Sequence, residues 1–311
     1  MKYPHRPVMV REVVKYLVTI ADGVYLDGTV GSGGHSEFIG KKIIPKGFLI
    51  CLDRDPDAVK LSRERLSFMG EKVIVIKTNY ADSNEILKGL GFDKINGILL
   101  DLGVSTQQLE RSGRGFSFNR DEPLDMRMDM DDEITAHELV NNFPPEEIAK
   151  ILKSYGEEKK AKLISRSIER ERRKTVIDSS LQLANLIMSV IPTPARPGVK
   201  HPATRTFQAF RIAVNRELEN LKTFLDKVPS LMAIGGRLVV LTYHSLEDRI
   251  VKQAMADWEK GCSCPPDLPR CACGKTPLFK RLQKKGIRPS QQEVQDNPRA
   301  RSAMLRAVER I

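Results

Sequence analysis

The chain has 311 residues, enough for one large domain or two modest ones, and its 41% apolar and 29% charged residues exclude a disordered, collagen-like or coiled-coil chain. No apolar run approaches the roughly 20 residues that a membrane helix needs, and the first residues lack the apolar core of a signal peptide, so a cytoplasmic protein with no membrane partner is predicted. The 51 basic residues exceed the 40 acidic ones, which indicates a polyanionic partner such as nucleic acid, although other basic soluble proteins share this surplus.

Short apolar strands and amphipathic helices alternate through the first hundred residues. Helical patterns cover residues 7–17, 35–43, 56–68 and 83–90. Strand patterns cover residues 24–27, 48–53, 73–77 and 95–101. Because these strands are uniformly apolar, we expect a parallel sheet with helices on both faces.

The alternation stops after residue 101. Residues 105–133 are polar, and residues 135–191 carry only helical patterns, one of which opens with a capping box from Thr135 to Glu138. A proline-rich stretch follows at residues 191–198.

The alternation of strand and helix patterns resumes after this stretch. These patterns comprise a helix at 207–228, a helix end and turn at 231–237, a buried strand at 238–243, a helix at 246–258 and a last strand at 302–308. We therefore predict an all-helical domain, residues 113–209, inserted into an α/β domain formed by residues 1–112 and 210–311.

A glycine-rich turn, Asp27-Gly28-Thr29-Val30-Gly31-Ser32-Gly33-Gly34-His35-Ser36, follows the first predicted strand. Asp53 ends the second strand, where a carboxylate can accept hydrogen bonds from ribose hydroxyls. Both features lie at the carboxyl edge of the sheet, which predicts a nucleotide-type ligand, with a purely structural turn as the alternative. A dinucleotide fingerprint needs a third glycine where Ser36 stands, so S-adenosylmethionine, which has no pyrophosphate, is favoured.

Two further strand ends favour the same ligand. Tyr80 follows the third strand, where a ring can cover an adenine, and Asp101 ends the fourth, near the reactive end of a methyl donor. The alternative for Tyr80 is a packing aromatic, and the alternative for Asp101 is a helix cap or a loop-stabilising carboxylate.

Eight motifs, spread over nearly the whole chain, resemble those of the RsmH (MraW) family of methyltransferases. They are residues 5–9 (HRPVM), 27–36 (DGTVGSGGHS), 101–105 (DLGVS), 114–118 (RGFSF), 123–129 (PLDMRMD), 205–212 (RTFQAFRI), 243–249 (YHSLEDR) and 297–303 (NPRARSA). The resemblance implies a Rossmann-like class I methyltransferase sheet with an inserted all-helical domain. It also implies methyl transfer from S-adenosylmethionine to the exocyclic N4 of a cytidine in the decoding region of 16S ribosomal RNA, a substrate that we expect within the small ribosomal subunit.

The resemblance carries cofactor contacts onto matching positions. These are Gly33, Gly34, His35, Asp53, Tyr80, Asp101 and Gln108. The family often has phenylalanine at the position of Tyr80, and a ring is available either way.

Asp101 and Ser105 stand where amino-methyltransferases usually carry an acidic or polar residue, two prolines and an aromatic. This chain has Asp101-Leu102-Gly103-Val104 instead, so the ring that usually stacks on the base is absent and the catalytic assignment stays open. Tyr243, His244 and Ser245 follow the strand at 238–243 and can line a target pocket. We predict catalytic roles for Asp101, Ser105, His244 and Ser245, with a structural loop histidine as the alternative for His244.

Four cysteines, Cys262, Cys264, Cys271 and Cys273, are spaced as C-x-C-x6-C-x-C. Zinc, disulfides and free thiols are all compatible with this spacing, and the resemblance implies no catalytic metal. The isolated Cys51 is predicted to be a buried core thiol.

Two other functions are compatible with the sequence. One is a NAD-dependent oxidoreductase, disfavoured by Ser36 and the basic charge, and the other is a non-catalytic RNA-binding or assembly factor. Basic residues at 159–174 and beyond Lys280 are expected to bind phosphates, unless they are solvated helix faces. The sequence does not fix the oligomeric state.

Overall fold

The structure is a computed structural model that describes residues 7–44, 46–191, 201–260, 264–265, 269–270 and 273–311. The chain divides into two compact units. We call Met1–Gly103 with Leu218–Ile311 the sheet unit, and Val104–Glu217 the helical unit.

The predicted domain boundaries, at residues 112/113 and 209/210, fall inside the helical unit. Leu109 and Phe210 both belong to the apolar cluster of that unit, which explains why the chain divides after Gly103 and after Glu217 instead.

The sheet unit contains a seven-stranded sheet in the order β3-β2-β1-β4-β5-β7-β6. Its strands are β1 Val24–Asp27, β2 Phe48–Asp53, β3 Val73–Lys77, β4 Ile95–Asp101, β5 Met232–Thr242, β6 Phe279–Arg281 and β7 Met304–Arg310. The pairs formed among β1 to β5 are parallel, whereas β7 runs antiparallel to both β5 and β6. The carboxyl ends of β1, β2, β3, β4 and β5 therefore lie at one edge, where open α/β sheets bind ligands.

Apolar residues cover both faces of this sheet, because successive side chains of a strand point to opposite faces. On β1, Leu26 belongs to one buried cluster and Tyr25 to the other; on β4, Ile98 and Leu99 divide in the same way. The helices of the sheet unit are α1 Val10–Leu17, α2 Gly34–Ile43, α3 Pro56–Leu66, α4 Ser83–Gly89, α11 Glu217–Leu231, α12 Ser245–Lys260 and α13 Gln291–Asp296.

The helical unit has a separate apolar core. Its helices are α5 Thr106–Arg111, α6 Ala136–Asn142, α7 Pro145–Gly156, α8 Ala161–Arg172, α9 Ser180–Val190 and α10 Ala203–Asn215. The predicted capping box is confirmed at the start of α6, where the Glu138 N–H donates to Thr135 Oγ1 at 3.1 Å. The Rossmann-like sheet and the inserted helices together confirm the predicted fold class, an α/β sheet with an inserted all-helical domain.

Several predicted elements differ from the structure. Residues 232–237, expected as a helix end and turn, are the first part of β5, which accommodates Gly235 at φ 77° beside a register shift against β4. The helix predicted at 207–228 is two helices, because Arg216 adopts a left-handed conformation between α10 and α11. The three-residue strand β6 was missed. Among the described residues, no helix combines the length and apolarity that crossing a membrane requires.

Candidate active site

The glycine-rich turn between β1 and α2 depends on backbone conformations that favour glycine. Gly31 has φ 52° and Gly33 has φ 78°, both in the left-handed region. A Cβ added at Gly31 would meet no atom within 4 Å, so the turn has open space beside it at this point. A backbone that turns sharply and borders open space is suited to close approach by a ligand.

Asp53 connects the end of β2 to this turn. Its Oδ2 accepts the Gly31 N–H at 2.8 Å, and its Oδ1 accepts the Asp55 N–H at 3.0 Å. Burial raises the pKa of Asp53 from 3.8 to about 6, although the two backbone hydrogen bonds oppose this rise. Each carboxylate oxygen can accept two hydrogen bonds, so Asp53 retains capacity for two ribose hydroxyls.

Asp27 stabilises the glycine-rich turn through hydrogen bonds, a role that the sequence analysis missed. Its carboxylate accepts the Ser36 hydroxyl at 2.6 Å and the Thr29 N–H at 3.2 Å. Burial raises the pKa of Asp27, with the Ser36 hydrogen bond opposing it. Cys51 lies against Ser36 and is fully buried, which confirms the predicted core thiol; burial also raises its pKa, so it is kept as an unreactive thiol.

Asp101 lies close to three different segments of the sheet unit. Its backbone N–H donates to Thr29 Oγ1 at 2.6 Å, and its side-chain Oδ1 accepts the Tyr243 hydroxyl at 2.7 Å. Its Oδ2 lies 3.4 Å from His35 Nδ1. The structure therefore brings together two of the predicted site residues, His35 and Asp101, and adds Thr29 and Tyr243 to them.

His35 has a defined tautomer in this arrangement. Its Nε2 lies 2.8 Å from the carbonyl oxygen of Val8, and because a carbonyl only accepts, the Nε2 atom carries the proton. Burial lowers the pKa of His35, which favours the neutral ring. The lone pair of Nδ1 then faces the carboxylate of Asp101. The segment before α1 also packs closely on the turn, since a Cβ at Gly34 would lie 3.1 Å from Pro7 Cβ.

Tyr80 is half-buried just beyond β3. Its ring packs edge-on against Phe224, with 5.5 Å between ring centroids. A Cβ at Gly28, in the glycine-rich turn, would lie only 3.0 Å from Tyr80 Cβ. The Tyr80 ring is thus packed against a core phenylalanine, while its Cβ atom borders the turn.

Ser105 and Gln108 lie in the helical unit, where they form the capping box of α5. The Gln108 N–H donates to Ser105 Oγ at 3.1 Å, and the Ser105 N–H donates to Gln108 Oε1 at 2.9 Å. Both side chains therefore hold the start of a helix.

His244 and Ser245 begin the segment that leads into α12. His244 Nε2 lies 3.0 Å from Glu247 Oε1, and Glu247 Oε2 also accepts the N–H groups of Tyr243 and His244. Ser245 is exposed. This arrangement favours the structural alternative for His244, and it identifies Glu247, which is 2% exposed, as the organising residue.

The cysteine cluster is described only in part. Cys262 and Cys271 lie outside the described residues, so the zinc, disulfide and free-thiol interpretations all stay predictions.

A glycine-rich turn after β1, carboxylates at the ends of β2 and β4, and a seven-stranded sheet with a reversed β7 define an S-adenosylmethionine-dependent methyltransferase. The model of the MraW methylase family matches residues 2–311, and the chain belongs to that family. The predicted family, methyltransferase activity and S-adenosylmethionine cofactor are thereby confirmed.

The chain is also similar to proteins of comparable length. Proteins named ribosomal RNA small subunit methyltransferase H are 46% identical to the chain in Symbiobacterium thermophilum, covering 100% of this chain and 98% of that protein, and in Geobacter sulfurreducens, covering 100% of both. A solved rRNA methylase from Streptococcus thermophilus, 10% identical, aligns with a TM-score of 0.43 over 97% of this chain and 93% of that one.

Proposed function

We propose that the chain transfers a methyl group from S-adenosylmethionine to the exocyclic N4 of a cytidine in the decoding region of 16S ribosomal RNA. The observation that carries this proposal is the 46% identity, over the full length, to proteins named for methylation of small-subunit rRNA. The same relationship supports a cytoplasmic site of action, with the small ribosomal subunit as the partner.

The residues of the sheet unit suit the methyl donor. S-adenosylmethionine supplies an electrophilic methyl group on a sulfonium. We propose that the turn at Gly33, Gly34 and His35 provides backbone contacts, that Asp53 binds the ribose and that Tyr80 borders the adenine. The open space beside Gly31 and the remaining acceptor capacity of Asp53 support this assignment. Gln108 stays a proposed donor contact on the resemblance alone.

Asp101 is the proposed proton acceptor. The N4 amine of cytosine is a poor nucleophile because its lone pair is delocalised into the ring. Orientation of such an amine can contribute effective molarities of roughly 10⁵–10⁸ M, and a positioned acceptor for its proton adds roughly 10²–10⁴-fold. Asp101 is a strand-end carboxylate oriented by two hydrogen bonds, one from its backbone N–H to Thr29 and one from the Tyr243 hydroxyl to Oδ1.

The remaining predicted catalytic residues take different roles in this proposal. Ser245 is exposed and offers a hydroxyl to the pyrimidine, whereas His244 and Ser105 position their loops through the contacts with Glu247 and Gln108.

Helix α8 supplies a surface for phosphates. Four exposed basic residues share one side of α8 and its C-cap at three- and four-residue spacing, and we call them the basic stripe: Lys162, Arg166, Arg170 and Arg173. A stripe of this kind binds the RNA backbone without reading its sequence. The target cytosine must leave any base stack to reach a methyl donor.

Methylation of undermodified 16S rRNA, free and in small subunits, tests the proposal. Labelled S-adenosylmethionine is supplied, and digested nucleosides are identified by mass spectrometry. N4-methylcytidine is expected with the wild-type chain, and its yield should fall at least 100-fold with Asp101→Asn. A methyl group on another atom contradicts the N4 assignment. Binding of the donor and RNA without turnover indicates a non-catalytic assembly factor, and preferential binding of NAD indicates an oxidoreductase.

A further inference from the structure

We infer that Tyr243 is a positioning residue, whose hydroxyl fixes the carboxylate of Asp101 for methyl transfer; this inference rests on the proposed function. The Tyr243 hydroxyl donates to Asp101 Oδ1 at 2.7 Å. The sheet itself creates this contact, because Asp101 at the end of β4 is in register with Leu241 of β5 and Tyr243 follows two residues later.

Tyr243 is itself held in place. Its backbone N–H donates to the buried carboxylate of Glu247 at 2.9 Å. On the other side, Gly103 has φ 99°, and a Cβ there would lie 3.4 Å from the Tyr243 ring. Burial raises the pKa of Tyr243 well above its ordinary value, so its hydroxyl keeps its proton and remains a donor throughout the physiological range.

The consequence for Asp101 is a carboxylate with a fixed direction. Thr29 holds its backbone N–H and Tyr243 holds Oδ1, which leaves Oδ2 3.4 Å from His35 Nδ1. A hydrogen bond donated to a carboxylate favours its charged form. Tyr243 therefore keeps Asp101 able to accept a proton, in addition to aiming it.

Other charged groups lie around this pair and must be considered. Asp27 interacts electrostatically with Asp101, and Glu247 and Glu293 interact with Tyr243. All three groups are acidic and disfavour negative charge on Asp101 or Tyr243. A hydrogen bond donated to the Asp101 carboxylate offsets this electrostatic repulsion.

Tyr243→Phe tests the inference, because it keeps the ring and removes only the hydroxyl. Tyr25→Phe is the matched control: Tyr25 is also a buried tyrosine of the sheet unit, and its hydroxyl bonds the backbone of Thr19 and Ile20. We expect Tyr243→Phe to lower kcat by about 10- to 100-fold with little change in the KM for rRNA. The acidic limb of the pH–rate profile should move to higher pH. Tyr25→Phe should leave kcat and the profile unchanged.

A second measurement uses the protein without donor or RNA. The chain has five histidines, and comparison with His35→Gln identifies the His35 signals in NMR titrations. Without the Tyr243 hydroxyl, the Asp101 carboxylate interacts more strongly with an imidazolium, so the His35 titration should move to higher pH in Tyr243→Phe and not in Tyr25→Phe.

The outcomes separate the possibilities. Wild-type activity and an unshifted His35 titration in Tyr243→Phe overturn the inference. Lower stability and activity with an unshifted profile and titration indicate a merely structural tyrosine and also overturn it. If Tyr243→Phe does not fold, 3-fluorotyrosine placed at position 243 retains the hydroxyl as a stronger donor, and an acidic limb that does not move to lower pH overturns the inference. A wild-type chain that fails to methylate rRNA contradicts the proposed function, and the His35 titration then remains the test of Tyr243.

Discussion

The hydroxyl oxygen of Thr29 accepts the backbone N–H of Asp101 at 2.6 Å. Thr29 lies in the glycine-rich turn after β1, and Asp101 ends β4, the neighbouring strand. One side chain therefore connects the turn assigned to the methyl donor with the carboxylate assigned to the acceptor amine. The carboxylate of Asp27 also orients Thr29, because it accepts the Thr29 backbone N–H.

Thr29→Val should uncouple the two segments while preserving the shape of the side chain. The partly buried Asp101 N–H loses its acceptor, and because a fully buried unsatisfied N–H costs about 1–3 kcal/mol, we expect a cost of about 1 kcal/mol here. We expect a corresponding loss in the free energy of unfolding in urea, together with weaker binding of S-adenosylmethionine by calorimetry. Thr78→Val, at a half-buried threonine just beyond β3, is the control, and equal effects of both substitutions would contradict the prediction.

Asp53 should make the stability of the protein depend on pH in an unusual direction. Burial raises its pKa from 3.8 to about 6, so between these values the folded chain keeps a proton that the unfolded chain releases. The contribution of Asp53 to stability is therefore full below pH 3.8, falls as the pH rises to about 6, and is constant above.

Urea unfolding of the wild type and Asp53→Asn, from pH 3.5 to 7.5, measures this effect. The other carboxyl groups contribute equally to both curves. The difference between the two free energies of unfolding should therefore fall only between pH 3.8 and about 6. A flat difference would show that Asp53 titrates normally. Asp22→Asn, at an exposed carboxyl before β1, is the control substitution. Because hydrogen bonds from ribose favour the charged form, binding of S-adenosylmethionine to the wild type should weaken below pH 6.

Gly28 should tolerate alanine less well than Gly31, although both lie in the same turn. A Cβ at Gly28 would approach Leu100 Cδ2 to 2.6 Å and Tyr80 Cβ to 3.0 Å, a degree of overpacking that costs about 1–3 kcal/mol. It should also displace Tyr80 and weaken donor binding. At Gly31 the Cβ meets nothing within 4 Å, so the stability cost is the strain of its positive φ, about 1–2 kcal/mol.

Donor binding by calorimetry and thermal unfolding together check these two substitutions. If Gly28→Ala binds S-adenosylmethionine as the wild type does, Tyr80 has no part in the donor site. Gly31→Ala fills the open space beside the turn, so it should lower affinity for the donor more than it lowers stability.

The basic stripe should be separable from basic residues that hold the fold. Arg166→Gln should reduce the slope of log affinity against log salt for rRNA by about 0.7–0.9 and leave stability unchanged. Arg172 is the last residue of the same helix, but its guanidinium donates to the carbonyls of Val140 and Phe143 at 2.8 Å. Arg172→Gln should therefore destabilise the protein by about 1–3 kcal/mol without changing the salt slope. Equal salt slopes for wild type and Arg166→Gln would exclude Arg166 from RNA contact.

The sequence predicts the first four strands of the sheet better than the last three. β1, β2, β3 and β4 match the predicted residues because each is a continuous apolar run bounded by polar residues. β6 has three residues and pairs with β7, and three residues are too short a pattern to recognise. The helix predicted from residue 7 begins at Val10, because Met9 is in a left-handed conformation that no local pattern signals in a methionine.

The candidate site was likewise predictable only in part. Local motifs predict which residue types end the strands, and Asp53 and Asp101 are found there. They do not predict which distant side chain holds each of them. Tyr243 meets Asp101 across the pairing of β4 with β5, and the Met9 N–H meets Glu293 of α13 from the opposite end of the sequence. Such contacts are set by topology, which a single sequence specifies only through the whole fold.

The pairing of β4 with β5 has a consequence for biosynthesis. Ile98 and Leu238 are register partners, yet residues 104–217 are translated between them. While the ribosome makes that stretch, the nascent half-sheet exposes the unpaired edge of β4, a template for aggregation. Closing such a long loop is slow compared with forming local helix contacts. The emerging chain therefore has its greatest need of chaperone protection before β5 has been synthesised.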